Sequence, residues 1–290
     1  MNPRPWWKKL GHGGLLLVAT VYCVFPIYFM LVQSLKTAEE DVFGNPLIVT
    51  NPTLENFEGL FEREGEVRGF VGRVLRRSYP VLDWLENTVV VFAGSVTVTL
   101  VASILAAYAL GRLRPPGFRW WRRVIFATYV IPHTILFVPL YQVIIRLHLD
   151  DNLLALLLVY PTLALPFCVW ILSAYFQQFP REVEESALVE GASRVTAFVR
   201  IILPMSRSVI VAAGIFAVGT IASDFTLASV FLLDAHNQTI PAGLGTMDVA
   251  LDELLAVAGI NLMAIPVVLI CAVFARGYVR GLTAAMVEGA

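Results

Sequence analysis

Charged residues are scarce in this sequence: they make up 15% of 290 residues, whereas hydrophobic residues make up 58%. Mean hydropathy is +0.73, well above the range of soluble globular domains. Lysine is especially rare, since Lys8, Lys9 and Lys36 are the only three and none follows a glycine. A phosphate-binding loop of the form G-x-x-x-x-G-K-[ST] is therefore absent. We expect no cofactor on this chain, and any ATP it uses must be bound by another chain.

Cysteine is equally sparse and gives no sign of a disulfide framework. Cys23, Cys168 and Cys271 each lie within an apolar run and are odd in number, so we interpret them as packing residues. The arginines form short clusters between long uncharged runs, a pattern that reports membrane topology. We therefore expect no nucleic-acid partner and no metal site.

Six segments are long and apolar enough to cross a bilayer, because a membrane-spanning helix needs about 20 apolar residues. They run over 14–35, 84–110, 124–145, 153–176, 208–233 and 255–275. The sequence therefore predicts an all-α polytopic membrane protein with six transmembrane helices. The first run is too long for a signal peptide and no small-residue cleavage site follows it, so we interpret it as a retained anchor.

The basic residues predict the orientation of these spans. Fourteen of the 21 lysines and arginines fall on the side that carries both termini, which the positive-inside rule assigns to the cytoplasm of a bacterial or archaeal inner membrane. The predicted regions are a cytoplasmic N-terminus (1–13), the first span (14–35), an external loop (36–83), a core of five spans (84–276) and a cytoplasmic tail (277–290). Tryptophans at predicted headgroup depth are Trp6, Trp7, Trp120 and Trp121 at the cytoplasmic face and Trp84 at the other.

The external loop contains a pattern typical of an amphipathic helix. Its apolar residues at helical spacing are Val67, Phe70, Val71, Val74 and Leu75, with most of the neighbouring arginines elsewhere on the wheel. Such a helix would lie on the outer leaflet of the membrane or contact an external protein.

A polar stretch between the fourth and fifth spans, residues 180–204, is expected to form two short cytoplasmic helices. Pro180 can begin the first, and Glu182 and Glu184 in its first turns suit the positive end of the helix dipole. Gly191 can adopt the left-handed conformation that ends a helix. Within the same stretch, Ser193 can cap a second helix.

That second helix carries an apolar stripe and ends near Pro204. The stripe consists of Val195, Phe198, Ile201 and Ile202. The alternative is an ordinary solvated loop. An apolar stripe that faced water would require a partner.

The spacing in this stretch resembles the EAA loop of ABC importer permeases: E-A-A, three residues, G, nine residues, I-x-L-P. The residues in register are Glu185, Ala187, Gly191, Ile201, Leu203 and Pro204, with Ser186 in place of the first alanine. The resemblance covers nearly the whole chain, including "SLKTAEE" after the first span and "AAYALGRLRPPG" closing the second. It is closest to the shorter, six-span subunit of the maltose-type carbohydrate importers.

This resemblance implies a type I ABC importer permease fold and a role in moving a sugar, oligosaccharide or polyol derivative. It implies four kinds of partner: a second permease subunit in a heterodimer, an ABC ATPase dimer that holds ATP and Mg²⁺, an external solute-binding protein and the bilayer. The loop would dock on the ATPase. Its candidate coupling residues are Glu184, Glu185, Ser186, Ala187, Gly191, Ala192, Arg194, Leu203 and Pro204.

Asp224 lies well inside the predicted fifth span, where an acidic residue indicates function by default. With Phe225 it is a candidate for the substrate pathway, and the alternative role is a structural hydrogen bond to a neighbouring helix. Asp224 also supports a competing hypothesis, an ion-coupled secondary transporter. An intramembrane hydrolase is a third possibility, but no motif flanks Asp224 that predicts a nucleophile and base in reach.

Overall fold

A computed structural model of the chain describes residues 6–61, 65–68, 74–77 and 79–287. The chain forms two compact units, Met1–Val81 with Thr246–Ala264, and Leu82–Gly245 with Ile265–Ala290. The first unit contains the helices α1 (Trp6–Ser34), α2 (Ala38–Phe43) and α3 (Glu55–Phe61), and the strands β1 (Gly65–Arg68) and β2 (Val74–Arg77).

The second unit contains ten α-helices within its described residues, besides the end of the last helix. These are α4 (Val81–Tyr108), α5 (Phe118–Val130), α6 (His133–Arg146), α7 (Leu153–Gln178), α8 (Arg181–Val189), α9 (Arg194–Ala197), α10 (Leu203–Met205), α11 (Arg207–Ala222), α12 (Thr226–Phe231) and α13 (Ile240–Leu244), where α4 begins one residue before the unit. Short π-helical turns at Ala109–Leu113 and Phe198–Ile202 continue α4 and α9, and Ala235–Asn237 is a 3₁₀ turn. The last helix, α14 (Val249–Val287), runs through residues of both units.

The helical membrane architecture predicted from the sequence is confirmed. Four helices are long and apolar enough to span a membrane, and two further spans result if each of two bent helix pairs counts as one. The predicted third span is such a pair, because the helix is interrupted at Ile131 and Pro132 between α5 and α6. Proline removes a backbone hydrogen bond and restricts the residue before it, which explains the break.

The predicted fifth span is shorter than expected. It was predicted to reach residue 233, but α11 ends at Ala222 and a separate helix, α12, follows. Asp224 therefore lies in the break between two helices, not inside one.

The amphipathic helix predicted in the external loop is not observed, because the described residues at both ends of that segment form strands. Gly65–Arg68 and Val74–Arg77 are antiparallel strands, with Val67 opposite Leu75, and Phe70 and Val71 lie outside the described residues. The three glycines of residues 65–72 explain the failure, because each costs a helix about 1 kcal/mol relative to alanine. The prediction rested on the spacing of apolar residues, which does not take the glycines into account.

Before this hairpin, the chain that follows α1 is held by hydrogen bonds to buried polar groups. The Glu40 carboxylate accepts hydrogen bonds from the backbone N–H and the hydroxyl of Thr50, which hold the pKa of Glu40 below its usual value. Asn56 Nδ2 donates to the backbone oxygens of Ser34 (3.0 Å) and Lys36 (2.8 Å). These contacts give the predicted loop an ordered structure.

The two ends of the chain are only partly described. The N-terminal region 1–13 is helical from Trp6 onward, and the predicted tail 277–290 continues α14 as far as Val287. Residues 1–5 and 288–290 lie outside the described residues.

Helix α7 forms the centre of the second unit. It packs against α5, α11 and the π-turn after α4, and 61% of its most apolar window is buried, against 22% for α4. Gly111 permits one of these contacts, since a Cβ there would lie 2.8 Å from the carbonyl oxygen of Ser173. The other apolar helices leave much of their surface for lipid or protein neighbours.

Hydrogen bonds from the first turns of α4 hold the segment that precedes α13. Trp84 Nε1 donates to Ala235 O (2.6 Å), and Asn87 Nδ2 donates to His236 O (2.8 Å) and Gln238 O (3.0 Å). Trp84 is only 1% exposed, so its ring packs inside the protein, and its place at headgroup depth stays a prediction. We call the contacts of Trp84 and Asn87 with residues 235–243 the Trp84 cluster.

Gly243 completes the Trp84 cluster by allowing a very close approach. A Cβ at this position would lie 2.3 Å from the indole ring of Trp84. Only glycine fits in this geometry.

Candidate functional site

The polar stretch of residues 180–204, called here the EAA-like loop, folds into two helices as its sequence predicts. Helix α8 begins directly after Pro180, and Gly191 adopts φ +88°. The backbone N–H of Ala192 donates to Ala187 O (3.0 Å) across that turn, which is the pattern of a glycine-ended helix. The Ser193 side chain then accepts a hydrogen bond from the N–H of Thr196 (3.1 Å) and caps α9.

One side of α8 is fixed to α4 through a buried ion pair. The Glu184 carboxylate accepts hydrogen bonds from Arg112 Nε and from the Tyr108 hydroxyl (3.2 Å). Each side chain of the ion pair is only 9% exposed. Glu184, which was expected to contact a partner, therefore attaches the loop to its own bundle.

Arg112 also bonds to the chain just before α8. Its Nη1 donates to Phe179 O (2.7 Å) and its Nη2 to Pro180 O (3.2 Å). A single guanidinium thus holds both the start of α8 and the acid in its first turn. Arg112 lies in the π-turn Ala109–Leu113 at the end of α4, within reach of these groups.

The second helix of the loop is anchored by apolar side chains. Ala197, Phe198 and Ile202 are buried, and the Phe198 ring lies 4.2 Å from that of Tyr108, between centroids. Val195 belongs to the predicted stripe but is 71% exposed, which corrects that part of the prediction. The π-turn at Phe198–Ile202 changes the turn length, so a 3.6-residue count misplaces the stripe.

The opposite side of the loop is exposed. Val189 is 88% exposed. The predicted coupling residues on this side are Glu185, Ser186, Gly191, Arg194 and Pro204, all exposed. Ala192 and Leu203 are partly buried, and Ala187 is buried. The loop therefore has an inner face that holds it in place and an outer face that combines small, charged and apolar groups.

Arg112, Tyr108 and Val189 are not among the site residues that the sequence predicts. On a helical wheel, Val189 and Ala187 point about 200° apart because they are two residues apart. The exposure of Val189 could therefore have been predicted from the sequence. The partners of Glu184 come from a helix more than seventy residues earlier in the chain, and no local pattern indicates them.

Asp224 begins α12 and bonds to its first turn. Its carboxylate accepts hydrogen bonds from the N–H groups of Leu227 (3.1 Å) and Ala228 (3.3 Å) and from the Tyr160 hydroxyl of α7 (3.1 Å). The bond from Tyr160 is the structural hydrogen bond to a neighbouring helix that is the alternative to a substrate-pathway role. Neighbouring Phe225 is 46% exposed.

No three histidine, cysteine, aspartate or glutamate side chains come together as a metal site in the searched, described residues. The geometry of the EAA-like loop instead suits contact with another protein. It offers a preorganised surface on a loop that is joined to the membrane helices by a buried ion pair.

Comparison with known proteins agrees with this geometry. Residues 99–284 match the family described as "Binding-protein-dependent transport system inner membrane component". The inner membrane ABC transporter permease protein YcjP of Escherichia coli is 30% identical over 287 residues, covering 97% of both chains. The trehalose/maltose transport system permease protein MalG of Thermococcus litoralis is 31% identical and covers 95% of both chains.

The same fold occurs in a solved structure. The crystal structure of a bacterial ABC transporter involved in the import of the acidic polysaccharide alginate contains a chain that matches with a TM-score of 0.77. The match covers 95% of this chain and 98% of that one, at 16% identity.

These findings support an importer permease and not the ion-coupled transporter centred on Asp224. The chain belongs to the family of binding-protein-dependent transport system inner membrane components, the permease subunits of ABC importers.

Proposed function

We propose that this permease subunit couples solute import to a separate ABC ATPase dimer through the EAA-like loop. ATP and Mg²⁺ are bound by that ATPase, and a second permease subunit completes a heterodimeric pathway. An external solute-binding protein delivers the substrate. Both termini and the EAA-like loop face the cytoplasm.

One observation carries this proposal: the two faces of α8 differ sharply. The inner face is fixed through Glu184 to Arg112, whereas Val189 on the outer side is 88% exposed. Val195 and Val199 of the same loop are also exposed (71% and 50%), and a group of exposed apolar side chains marks a docking surface. Because the inner face is joined to α4, movement of a partner at the outer face is transmitted to a membrane helix.

The charged groups on the outer face can set the register of docking. Glu185 and Arg194 are exposed and can form charge-assisted hydrogen bonds with a partner. The small residues Ser186 and Gly191 allow its surface to approach the backbone closely. Neither feature is needed for a loop that only meets solvent.

The substrate class is proposed from relatives. The names of similar permeases include trehalose and maltose, sulfoquinovosyl glycerol and diacetylchitobiose. A sugar, oligosaccharide or polyol derivative is therefore the expected cargo. Asp224 and Phe225 stay candidates for the substrate pathway, with Asp224 acting through the position of α12.

Copurification tests the coupling role. We expect the full chain, extracted from its native membrane in mild detergent, to bring with it an ATPase and a second permease. Val189→Asp should lose the ATPase but keep the second permease, because an exposed valine can be replaced without disturbing the bundle. Leu233→Asp is the matched control, since Leu233 is also exposed (68%) but lies outside the loop. Equal recovery of the ATPase with both variants would contradict the docking role.

A further inference from the structure

The corner between α4 and α5, residues 112–123, concentrates positive charge. It reads "RLRPPGFRWWRR" and contains five arginines. No aspartate or glutamate occurs anywhere from residue 87 to residue 149. Nearby sequence therefore offers nothing to neutralise the corner.

One arginine of this corner forms an ion pair, and among the described residues Arg114 donates only to the backbone oxygens of Gly111 (3.1 Å) and Gln177 (3.5 Å). Arg112 is paired with Glu184. Among the side chains that the structure describes, Arg114, Arg119, Arg122 and Arg123 have no carboxylate within ion-pair distance. Their charge is available to a partner.

The backbone of the corner presents these arginines in a defined arrangement. Arg114 and Gly117 adopt positive φ values of 50° and 78°, which turn the chain sharply from α4 into α5. The guanidinium carbons of Arg114 and Arg119 lie 6.0 and 5.8 Å from the centroid of the Phe118 ring. This is within the range of a cation–π contact, so one ring orients two cations.

Two tryptophans complete the surface. Trp120 and Trp121 are 61% and 53% exposed, and their rings meet edge to face with centroids 5.2 Å apart. Arg119 and Arg123 are exposed and four residues apart, so they lie on the same face of α5. The corner thus combines exposed cations with large amphipathic rings.

We propose that this corner binds the anionic headgroups of phospholipids. Guanidinium groups match the geometry of a phosphate, with parallel N–H donors. Tryptophan prefers the headgroup region of a bilayer, and basic clusters beside a membrane helix attract anionic lipid. The acid-free surface is complementary in charge to such a lipid.

The position of the corner selects lipid over a protein partner. Helix α5 turns apolar directly after Arg123, so the arginines and tryptophans sit where a membrane helix enters the hydrocarbon. A lipid phosphate lies at that depth, and a lipid chain can cover the exposed rings. The docking surface of the EAA-like loop, by contrast, has small residues and both signs of charge.

Quenching of tryptophan fluorescence tests the proposal. The full chain is placed in phosphatidylcholine nanodiscs that contain increasing fractions of brominated phosphatidylglycerol or brominated phosphatidylcholine. We expect the anionic lipid to quench at lower fractions. Arg119→Gln/Arg123→Gln should raise its half-quenching fraction about 25-fold, since each arginine near the surface contributes about a fivefold preference and the two contributions multiply.

Three further variants make the result specific. Trp120→Phe/Trp121→Phe should remove the difference between the two lipids, which assigns the signal to this corner. Arg119→Lys/Arg123→Lys keeps the charge and should retain the preference for phosphatidylglycerol. Arg276→Gln/Arg280→Gln removes two charges elsewhere and should also retain it.

Several outcomes would overturn the proposal. Equal quenching of the wild type by the two lipids would show no preference, and an unchanged preference in Arg119→Gln/Arg123→Gln would place the site elsewhere. If that variant kept its lipid preference but no longer copurified the ATPase, the corner would be a protein contact.

Discussion

The two ends of α4 are joined to their neighbours in opposite ways. At its start, Trp84 and Asn87 hold residues 235–243 through several neutral hydrogen bonds and a close-packed indole. At its end, Arg112 and Tyr108 hold α8 through one buried carboxylate. The first arrangement fixes a segment by distributed contacts. The second concentrates the polar attachment of α8 on the Arg112 guanidinium and the Glu184 carboxylate, and it leaves the outer face of the attached loop free to bind.

The two ends of α4 therefore differ in how well they tolerate substitution. Distributed neutral hydrogen bonds each contribute about 1 kcal/mol, so losing one of them is tolerated. A buried charge that loses its partner is much more costly. The connection that we assign to coupling is therefore the one that a single substitution can break.

The largest effect is expected from breaking the ion pair. Glu184→Leu leaves the Arg112 guanidinium buried without its carboxylate, at a cost of about 3–5 kcal/mol. We expect a lower melting temperature in detergent and loss of transport-coupled ATP hydrolysis. Both are measured on the assembled transporter.

A double variant separates the charge from the packing. Arg112→Leu/Glu184→Leu removes both charges and should recover part of the stability lost in Glu184→Leu, but not coupling, since Arg112 also bonds to Phe179 O and Pro180 O. A double variant no more stable than Glu184→Leu would mean that the buried charge was not the cause.

Added side-chain volume should destabilise the Trp84 cluster. Gly243→Ala places a methyl group against the Trp84 ring, and we expect a loss of about 1–3 kcal/mol from overpacking. Gly219→Ala is the control, because nothing lies within 4 Å of its Cβ position. That control should be neutral or slightly stabilising, since alanine favours a helix. The melting temperatures of the two variants measure the difference.

A smaller effect is expected at the turn of the EAA-like loop. Gly191 has a positive φ with open space around it, so Gly191→Ala should cost about 1 kcal/mol through backbone strain alone. Gly191→Asn should be tolerated better, since asparagine adopts this conformation more readily. The melting temperatures of the wild type and both variants test this order of stability. A Gly191→Ala variant as stable as the wild type would show that alanine is not strained at this turn.

The smallest effect is a pH dependence near the start of α4. A hydrogen bond with Asp83, and the negative charges of Asp83 and Asp234, raise the pKa of His236 above its ordinary value of 6.5. A group whose pKa is raised on folding stabilises the fold at pH values below its pKa in the unfolded state. That stabilisation is lost as the pH rises through its pKa in the folded state. Asp83→Asn should therefore melt below the wild type at about pH 6 and match it at about pH 9. The same difference at both values would exclude this ion pair as the cause.

Local features were predictable from the sequence because they depend on neighbouring residues. Pro180, Gly191 and Ser193 mark the helix ends of the EAA-like loop by their own conformational preferences. The apolar runs likewise indicated the membrane helices. The order of these elements required no knowledge of tertiary contacts.

The features that were missed depend on residues far apart in the chain. Glu184 turns inward because Arg112 lies beside it, and Trp84 is buried because Gly243 lets it approach. The break at Asp224 is stabilised by Tyr160 of another helix. Hydropathy windows average over such positions, so they extended one helix across the break.

We propose above that the outer face of the EAA-like loop contacts the ATPase. A photo-crosslinking amino acid at Val189 in the assembled transporter tests it most directly, with the same label at exposed Leu233 for comparison. We expect an adduct with the ATPase from position 189 and none from position 233. An assembly that hydrolyses ATP but gives no ATPase adduct from position 189 would contradict it.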